Sequence, residues 1–279
     1  MASFNSNYVY ITYNGQFLQE AALQLPVTNR AFQYNDGFFE TLVVEQGKVR
    51  FLAEHWERMQ EAASILGLEV PKDLTIDKLE ETIQALVLKN ECASLARIKL
   101  KVWRTGEGLY TPQTDAVDWL LTAHGMESPS LITMAVGICQ TVQTLLSRFS
   151  TFKGPNSLLY VMASREKKKR QLEDLVLLTA SGHVAELTYS NIFWLKDNIL
   201  YTPSLDTGCL NGVMRRHLLK KAVGKWTVKE GVYAPQALHL ADLVFASNVM
   251  GLRPIESIEG KPLTLQLPLL EEMRALAFG

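Results

Sequence analysis

Ser150-Thr151-Phe152-Lys153-Gly154-Pro155-Asn156-Ser157-Leu158 and Gly182-His183-Val184-Ala185-Glu186-Leu187-Thr188-Tyr189-Ser190-Asn191-Ile192-Phe193 are the two phrases on which the reading of this chain turns. A lysine can form a Schiff base with an aldehyde cofactor, and a carboxylate can hold that cofactor's pyridine nitrogen protonated. Together they make an electron sink for chemistry at the α-carbon of an amino acid. Neither residue carries that weight singly, because most lysines are solvated surface groups. The weight comes from the sequence on either side.

Upstream stands Asn29-Arg30-Ala31-Phe32-Gln33-Tyr34-Asn35-Asp36-Gly37-Phe38-Phe39-Glu40-Thr41-Leu42, which alone reads as a turn at Asp36-Gly37 before a strand. Leu52-Ala53-Glu54-His55-Trp56-Glu57-Arg58-Met59 puts Arg58 on a helix. It reads either as a surface arginine or as a bidentate phosphate clamp, for which a guanidinium suits better than an ammonium. Downstream, Gly208-Cys209-Leu210-Asn211-Gly212-Val213-Met214-Arg215 is a glycine turn opening an apolar helix. The free N–H groups of such a start point outward and make an anion site. Ser247-Asn248 follows the apolar run 243–246 and adds a hydroxyl and an amide at a strand end.

Further out, residues 8–13 are aromatic and β-branched, and Asn14-Gly15 and Gln46-Gly47 are hairpin turns. A helix is expected from Ala53 to Gly67, with Trp56, Met59, Ala63 and Leu66 in step, and another over 75–90. Ala96, Ile98, Leu100 and Val102 alternate with Arg97, Lys99 and Lys101, a one-sided strand. Residues 131–142 read as strand and 157–172 as helix, followed by short apolar runs at 175–178, 192–195, 243–246 and 253–258. The expected organisation is α/β (α+β): a small N-terminal α+β domain over 1–124, a linker over 125–130, and a larger barrel-like domain over 131–279.

Composition narrows the function classes. The 279 residues are 47% hydrophobic and 20% charged with a net charge of -1, which gives no electrostatic reason to expect nucleic acid. Lys167-Lys168-Lys169-Arg170, the one charge run, reads as a solvated helix end. Cys92, Cys139 and Cys209 have no metal-ligand spacing and read as reduced thiols. The five histidines are dispersed, so no metal site is expected. Without a basic-then-apolar leader or a membrane-length apolar stretch, the expectation is a soluble cytoplasmic protein.

Arg30…Tyr34-Asn35-Asp36-Gly37…Phe39-Glu40-Thr41, His55…Arg58, Lys153-x-x-Asn156, Gly182-x-Val184-x-Glu186…Ser190-Asn191-Ile192-Phe193, Leu210-x-Gly212-Val213-x-Arg215 and Gly251…Pro254 together resemble the class IV aminotransferases, the fold type IV pyridoxal-phosphate enzymes. The resemblance runs from about residue 10 to 260. It implies a two-domain fold, usually a homodimer, acting on a small amino substrate with pyridoxal 5'-phosphate. Carried over by position, Lys153 is the Schiff-base lysine and proton shuttle, and Glu186 pairs with the pyridine nitrogen. Arg58, the N–H groups of Val213 and Met214 after Gly212, and Ser247 and Asn248 hold the phosphate. Asn191 supports the Glu186 loop. Asn35 stands where the family usually has glycine, and Met214 where it often has a hydroxyl residue.

The family divides into branched-chain aminotransferases, D-amino-acid aminotransferases and aminodeoxychorismate lyases. Lys153-x-x-Asn156-x-Leu158 resembles the latter two groups. Trp103-Arg104-Thr105-Gly106-Glu107-Gly108-Leu109-Tyr110 lacks the Arg and His with which D-amino-acid enzymes hold a carboxylate, and is nearer the lyase loop. Phe39 replaces a carboxylate-binding tyrosine. Phe39, Arg104 and Tyr110 are therefore candidate substrate residues. The expected activity is that of an aminodeoxychorismate lyase, with an amino-acid aminotransferase (D-amino acid or branched-chain) as the alternative. A non-catalytic protein on the same fold would not need Lys153, Glu186 and Arg58 together.

Overall fold

Asn14 and Gly15 adopt positive φ (49° and 80°), as the tight hairpin between β1 (Tyr10–Tyr13) and β2 (Gln16–Gln19) requires. The structure, a computed structural model, describes residues 9–128 and 132–278. The residues before Val9, Pro129 and Ser130 of the expected linker, and Leu131 at the start of the expected large domain lie outside the described residues. The chain divides into two compact units, Met1–Ser128 and Pro129–Gly279.

In the first unit, α1 (Arg30–Tyr34) leads into β3 (Gly37–Glu45), which turns through Gln46 and Gly47 into β4 (Lys48–Val49). Helices α2 (Leu52–Leu66) and α3 (Ile76–Lys89) follow, then β5 (Leu95–Arg104) and β6 (Val117–Gly125). The six strands form one antiparallel sheet in the order β2-β1-β6-β5-β3-β4. Gly67 ends α2 in the left-handed region, and the Thr75 side chain caps α3. Ala96, Ile98, Leu100 and Val102 are buried, as their alternation predicts.

The face of α2 differs from the expected one. Its buried residues are His55, Arg58, Met59, Ala62 and Ala63, while Trp56 is only half-buried. The cause is Glu40, buried on β3 between Phe38 and Leu42, which draws the two basic side chains of α2 inward.

The second unit runs β7 (Met134–Ile138), α4 (Ser157–Lys169), β8 (Asp174–Leu178), β9 (Val184–Leu187), β10 (Asn191–Lys196) and β11 (Ile199–Pro203). Then come α5 (Val213–Ala222), β12 (Thr227–Gly231), α6 (Gln236–His239), β13 (Leu243–Asn248), β14 (Gly251–Ile258), β15 (Lys261–Pro262) and α7 (Leu267–Phe278). Their sheet has the order β12-β11-β10-β13-β14-β7-β8-β9, with β15 on β14. Its last strand, β9, lies against β10, so the sheet curls toward a half-barrel around Val136, Val176, Leu187, Ile192, Val244 and Ile255.

β7 is shorter than the expected strand over 131–142. Beyond it the N–H groups of Gln140 and Thr141 are taken by the Glu166 carboxylate rather than by a neighbouring strand. The helix expected over 157–172 ends at Lys169, because Gln171 turns to φ 56°. Among the described residues no helix is long and apolar enough to cross a membrane.

Candidate active site

Glu186 lies within β9, all of whose residues are buried, and is itself 2% exposed. An isolated carboxylate cannot remain ionised there without donors. The phenol Oη of Tyr160 donates to Oε1 at 2.7 Å, and the Leu210 N–H donates to Oε2 at 3.1 Å. Burial pushes the Glu186 carboxyl up to about 7, against the Tyr160 hydroxyl, the Leu210 N–H and the positive charges of Lys153 and Arg215. Tyr160, by burial and by the nearby Glu186 charge, is held protonated far above its ordinary range.

Lys153 is half-buried in the bend that leads into α4, three residues ahead of Asn156. The Asn211 N–H donates to the Thr151 carbonyl at 3.0 Å, which ties this bend to the turn before α5.

That turn is fixed from below by Asn191. Its Nδ2 donates to the Leu210 carbonyl at 2.8 Å, so Leu210 holds Glu186 with its N–H and Asn191 with its C=O. A Cβ on Gly212 would overlap Asn191 Oδ1, which leaves glycine as the residue that fits. Helix α5 starts immediately after, and no side chain caps it. The N–H groups of Val213 and Met214 therefore have no acceptor within the helix. The ladder between β10 and β13 sets Ser247 opposite Asn191. The Ser247 hydroxyl is 1% exposed and has no hydrogen-bond partner. An uncapped helix start beside an orphaned buried hydroxyl fits a phosphate group. Asn248 is used differently: its Nδ2 donates to Ser190 Oγ at 2.9 Å, and its Oδ1 accepts the Met250 N–H at 2.9 Å. Those bonds shape the two-residue turn between β13 and β14.

Arg58 belongs to the first unit and is 2% exposed, not the surface residue its sequence context allowed. Its Nε donates to Glu40 Oε1 at 2.7 Å and its Nη2 to Oε2 at 2.5 Å, the bidentate geometry that suits guanidinium. His55 Nδ1 meets the same carboxylate at 2.7 Å. Burial alone would raise the Glu40 carboxyl, but Arg58 and His55 overcome it and hold the group well below the usual carboxylate range.

The three candidate substrate residues have unlike surroundings. Phe39 is half-buried, with Lys99 Nζ 4.9 Å from its ring centre. Tyr110 is 91% exposed and its ring lies 5.7 Å from that of Tyr34. Arg104 is buried, and all its nitrogens serve the protein: Nε donates to Asp36 at 3.1 Å, Nη2 to the Leu66 carbonyl at 2.6 Å, and Nη1 to the Gly67 carbonyl and to Asp115. Its geometry is that of a brace. Arg30 completes the brace, pairing with Asp36 at 2.7 Å and holding the carbonyls of Gly108 and Leu109 at 3.2 and 2.8 Å. Asn35 takes φ 52°, the left-handed conformation that explains a glycine elsewhere in the family and that asparagine tolerates.

Sequence reasoning missed Tyr160 and Leu210 as donors to Glu186. Tyr160 lies on α4, seven residues after Lys153 in the bend before it, and its type and position carry no local signal of a contact with Glu186.

The family model described as amino-transferase class IV matches residues 37–258. The chain is 27% identical over 261 residues to an aminodeoxychorismate lyase of Vibrio harveyi, covering 90% of this chain and 94% of that one. It is 29% identical over 255 residues to an aminodeoxychorismate lyase of Bacillus subtilis (strain 168), covering 89% and 86%. In fold it resembles the T.th. branched-chain amino acid aminotransferase with pyridoxamine 5'-phosphate, with a TM-score of 0.83 at 22% identity over 97% of this chain and 93% of that one.

Proposed function

Because the chain belongs to the class IV amino-transferase family, whose cofactor is pyridoxal phosphate, we propose that it is an aminodeoxychorismate lyase releasing pyruvate and 4-aminobenzoate. The family acts on small amino substrates. The observation that carries the choice of reaction is Arg104, whose nitrogens are all engaged by Asp36, Asp115 and the carbonyls of Leu66 and Gly67. A guanidinium so engaged does not serve as the carboxylate arm of a D-amino-acid aminotransferase, and Phe39 offers no hydroxyl. Likeness to two lyases over about nine-tenths of the chain supports the same reading.

When bound, the cofactor supplies an electron sink for the bond broken at the amino-bearing carbon. Glu186, ionised, would keep the proton on the ring nitrogen. The N–H groups of Val213 and Met214 and the Ser247 hydroxyl would bind the phosphate, and Arg58 is the guanidinium that the family resemblance adds to them. Lys153 would hold the aldehyde carbon until the substrate amine takes its place, and its released, neutral Nζ would then take the proton from the amino-bearing ring carbon. The bond between the neighbouring ring carbon and the ether oxygen would then break, and Lys153 would return the proton to the methylene carbon of the departing enolpyruvate, so that pyruvate leaves and the reaction is redox-neutral. Asn248 shapes the β13–β14 turn in this scheme, and Asn191 positions the Glu186 support.

The working form is a homodimer with a small N-terminal domain, a linker at 125–130 and a large domain carrying Lys153. Exposed apolar side chains in the second unit, Leu145, Leu146, Leu158 and Val161, support self-association. The three cysteines are free and buried, in keeping with a cytoplasmic protein.

The test is pyruvate release from aminodeoxychorismate by the purified protein loaded with pyridoxal phosphate, with Lys153→Ala as the inactive control. Absence of pyruvate, with amino transfer from an amino acid to a keto acid, would replace the lyase by the aminotransferase. Full activity in Lys153→Ala would remove the mechanism.

A further inference from the structure

Glu186 has to stay ionised in order to hold a proton on a ring nitrogen, yet its surroundings oppose ionisation. The groups that act on it come from four segments: Tyr160 on α4, Lys153 in the bend before it, the Leu210 N–H with Cys209 in the following turn, and Arg215 on α5. Lys153 is committed to the cofactor aldehyde. Arg215 is committed to the Pro203 carbonyl at 2.9 Å and to Glu230. The Leu210 N–H is a fixed backbone donor. The remaining direct donor is the Tyr160 phenol, 2.7 Å from Oε1.

The helix that carries Tyr160 is held in place. The Tyr160 ring packs on the cluster of Cys139, Ala163, Leu175 and Leu177. Contacts farther along the helix fix its height: Glu166 accepts the N–H groups of Gln140 and Thr141 at 3.0 and 2.9 Å, and Arg170 joins Glu166 at 2.8 Å to Glu259 at 2.7 Å. A donor on so fixed a helix costs little ordering entropy when it binds the carboxylate.

The geometry points to Tyr160 as a positioning residue that holds Glu186 ionised, and so keeps the proton on the cofactor's ring nitrogen instead of on the carboxylate. This rests on the cofactor reading above. The phenol stays protonated throughout, so it acts by hydrogen bonding and transfers no proton. With the hydroxyl gone, the proton shared between the ring nitrogen and Glu186 moves toward Glu186, and the electron sink weakens.

The substitution Tyr160→Phe keeps the ring in its apolar cluster and deletes only the donor. In the cofactor-free protein, the Glu186 carboxyl signal, assigned by its loss in Glu186→Gln and followed by carbon-13 NMR, should titrate about one to two pH units higher in Tyr160→Phe. In the protein loaded with nitrogen-15 pyridoxal phosphate, the ring-nitrogen signal should move toward the unprotonated form. The turnover number kcat should fall about tenfold or more with little change in KM, as expected for a group that acts on the chemical step. An unmoved Glu186 titration in Tyr160→Phe overturns the proposal. Failure of the wild-type protein to take up the cofactor would sink the functional reading instead, while the cofactor-free titration would still decide the role of Tyr160.

Discussion

Replacing Glu40 by glutamine should destabilise the protein more than any surface change could. The carboxylate is 1% exposed and carries two guanidinium bonds, at 2.7 and 2.5 Å, and one imidazole contact at 2.7 Å. Glutamine preserves the shape but leaves the Arg58 charge buried without its counter-ion. Two unit charges about 4 Å apart at an effective dielectric constant near 20 interact by about 4 kcal/mol. Removing one partner of a buried pair costs about 3–5 kcal/mol. Spread over a unit of this size, that corresponds to a fall in Tm of roughly 10 °C. Urea and thermal unfolding of the cofactor-free protein, by circular dichroism and tryptophan fluorescence, measure it.

A second signature comes from pH. Arg58 and His55 hold the folded Glu40 below its unfolded value of 4.5, although burial opposes them. The stability from this group is therefore present above that value and lost as pH falls through the acid range. Glu40→Gln should flatten the acid limb. The double replacement Glu40→Leu with Arg58→Met should cost less than either single change, because it buries no lone charge. A loss below about 1 kcal/mol in Glu40→Gln, the range of an exposed ion pair, would refute the buried-pair reasoning.

Three further outcomes follow from the same geometry. Arg104→Ala abandons the carbonyls of Leu66 and Gly67 and the Asp36 carboxylate, and should cost about 2–4 kcal/mol in urea unfolding. Gly212→Ala drives a Cβ into Asn191 Oδ1 and should weaken pyridoxal phosphate binding about tenfold or more in a fluorescence titration. Glu186, raised from 4.5 to about 7 by burial despite Tyr160 and Leu210, gives the cofactor-free protein stability that is full below pH 4.5 and lost as pH rises to about 7. That difference is worth about 3 kcal/mol, and the alkaline-going slope should vanish in Glu186→Gln.

Much of this was legible in the sequence for identifiable reasons. Asn14-Gly15 and Gln46-Gly47 are read correctly because a tight hairpin needs positive φ, a local demand that few residues meet. Gly67 is read correctly as a helix end because helix ends have local chemistry. What escaped was pairing across distance. The parity of β3 places Glu40 on the same face as Phe38 and Leu42, and a carboxylate on an apolar face demands a counter-ion. That demand was visible, but its answer, Arg58 and His55, sits on a helix whose rotation only packing decides. The stripe through Trp56 matched the helical period equally well. Tyr160 escaped for the same reason: as an amphipathic aromatic it fits a core position, and only the fold brings its hydroxyl to Glu186.

The site in the second unit is better understood as one backbone-linked object than as a set of residues. Leu210 gives its N–H to Glu186 and its C=O to Asn191. Asn191 presses on Gly212, which opens α5, and pairs across the sheet with Ser247. The two ends of the cofactor make different demands, a carboxylate for the ring nitrogen and N–H groups for the phosphate. On the reading proposed above, both are served by a turn of three residues, Leu210, Asn211 and Gly212, whose middle N–H is tied to Thr151, two positions before Lys153. Asn191 therefore has no need to touch the cofactor to govern it. Its amide fixes the turn, and the turn carries both the N–H that meets Glu186 and the glycine that opens α5, the two groups that the proposed function assigns to the ring and the phosphate. This also explains why Leu210-x-Gly212-Val213 and Ser190-Asn191 occur together in the chain: the two phrases are halves of one support, separated in sequence by the hairpin of β10 and β11.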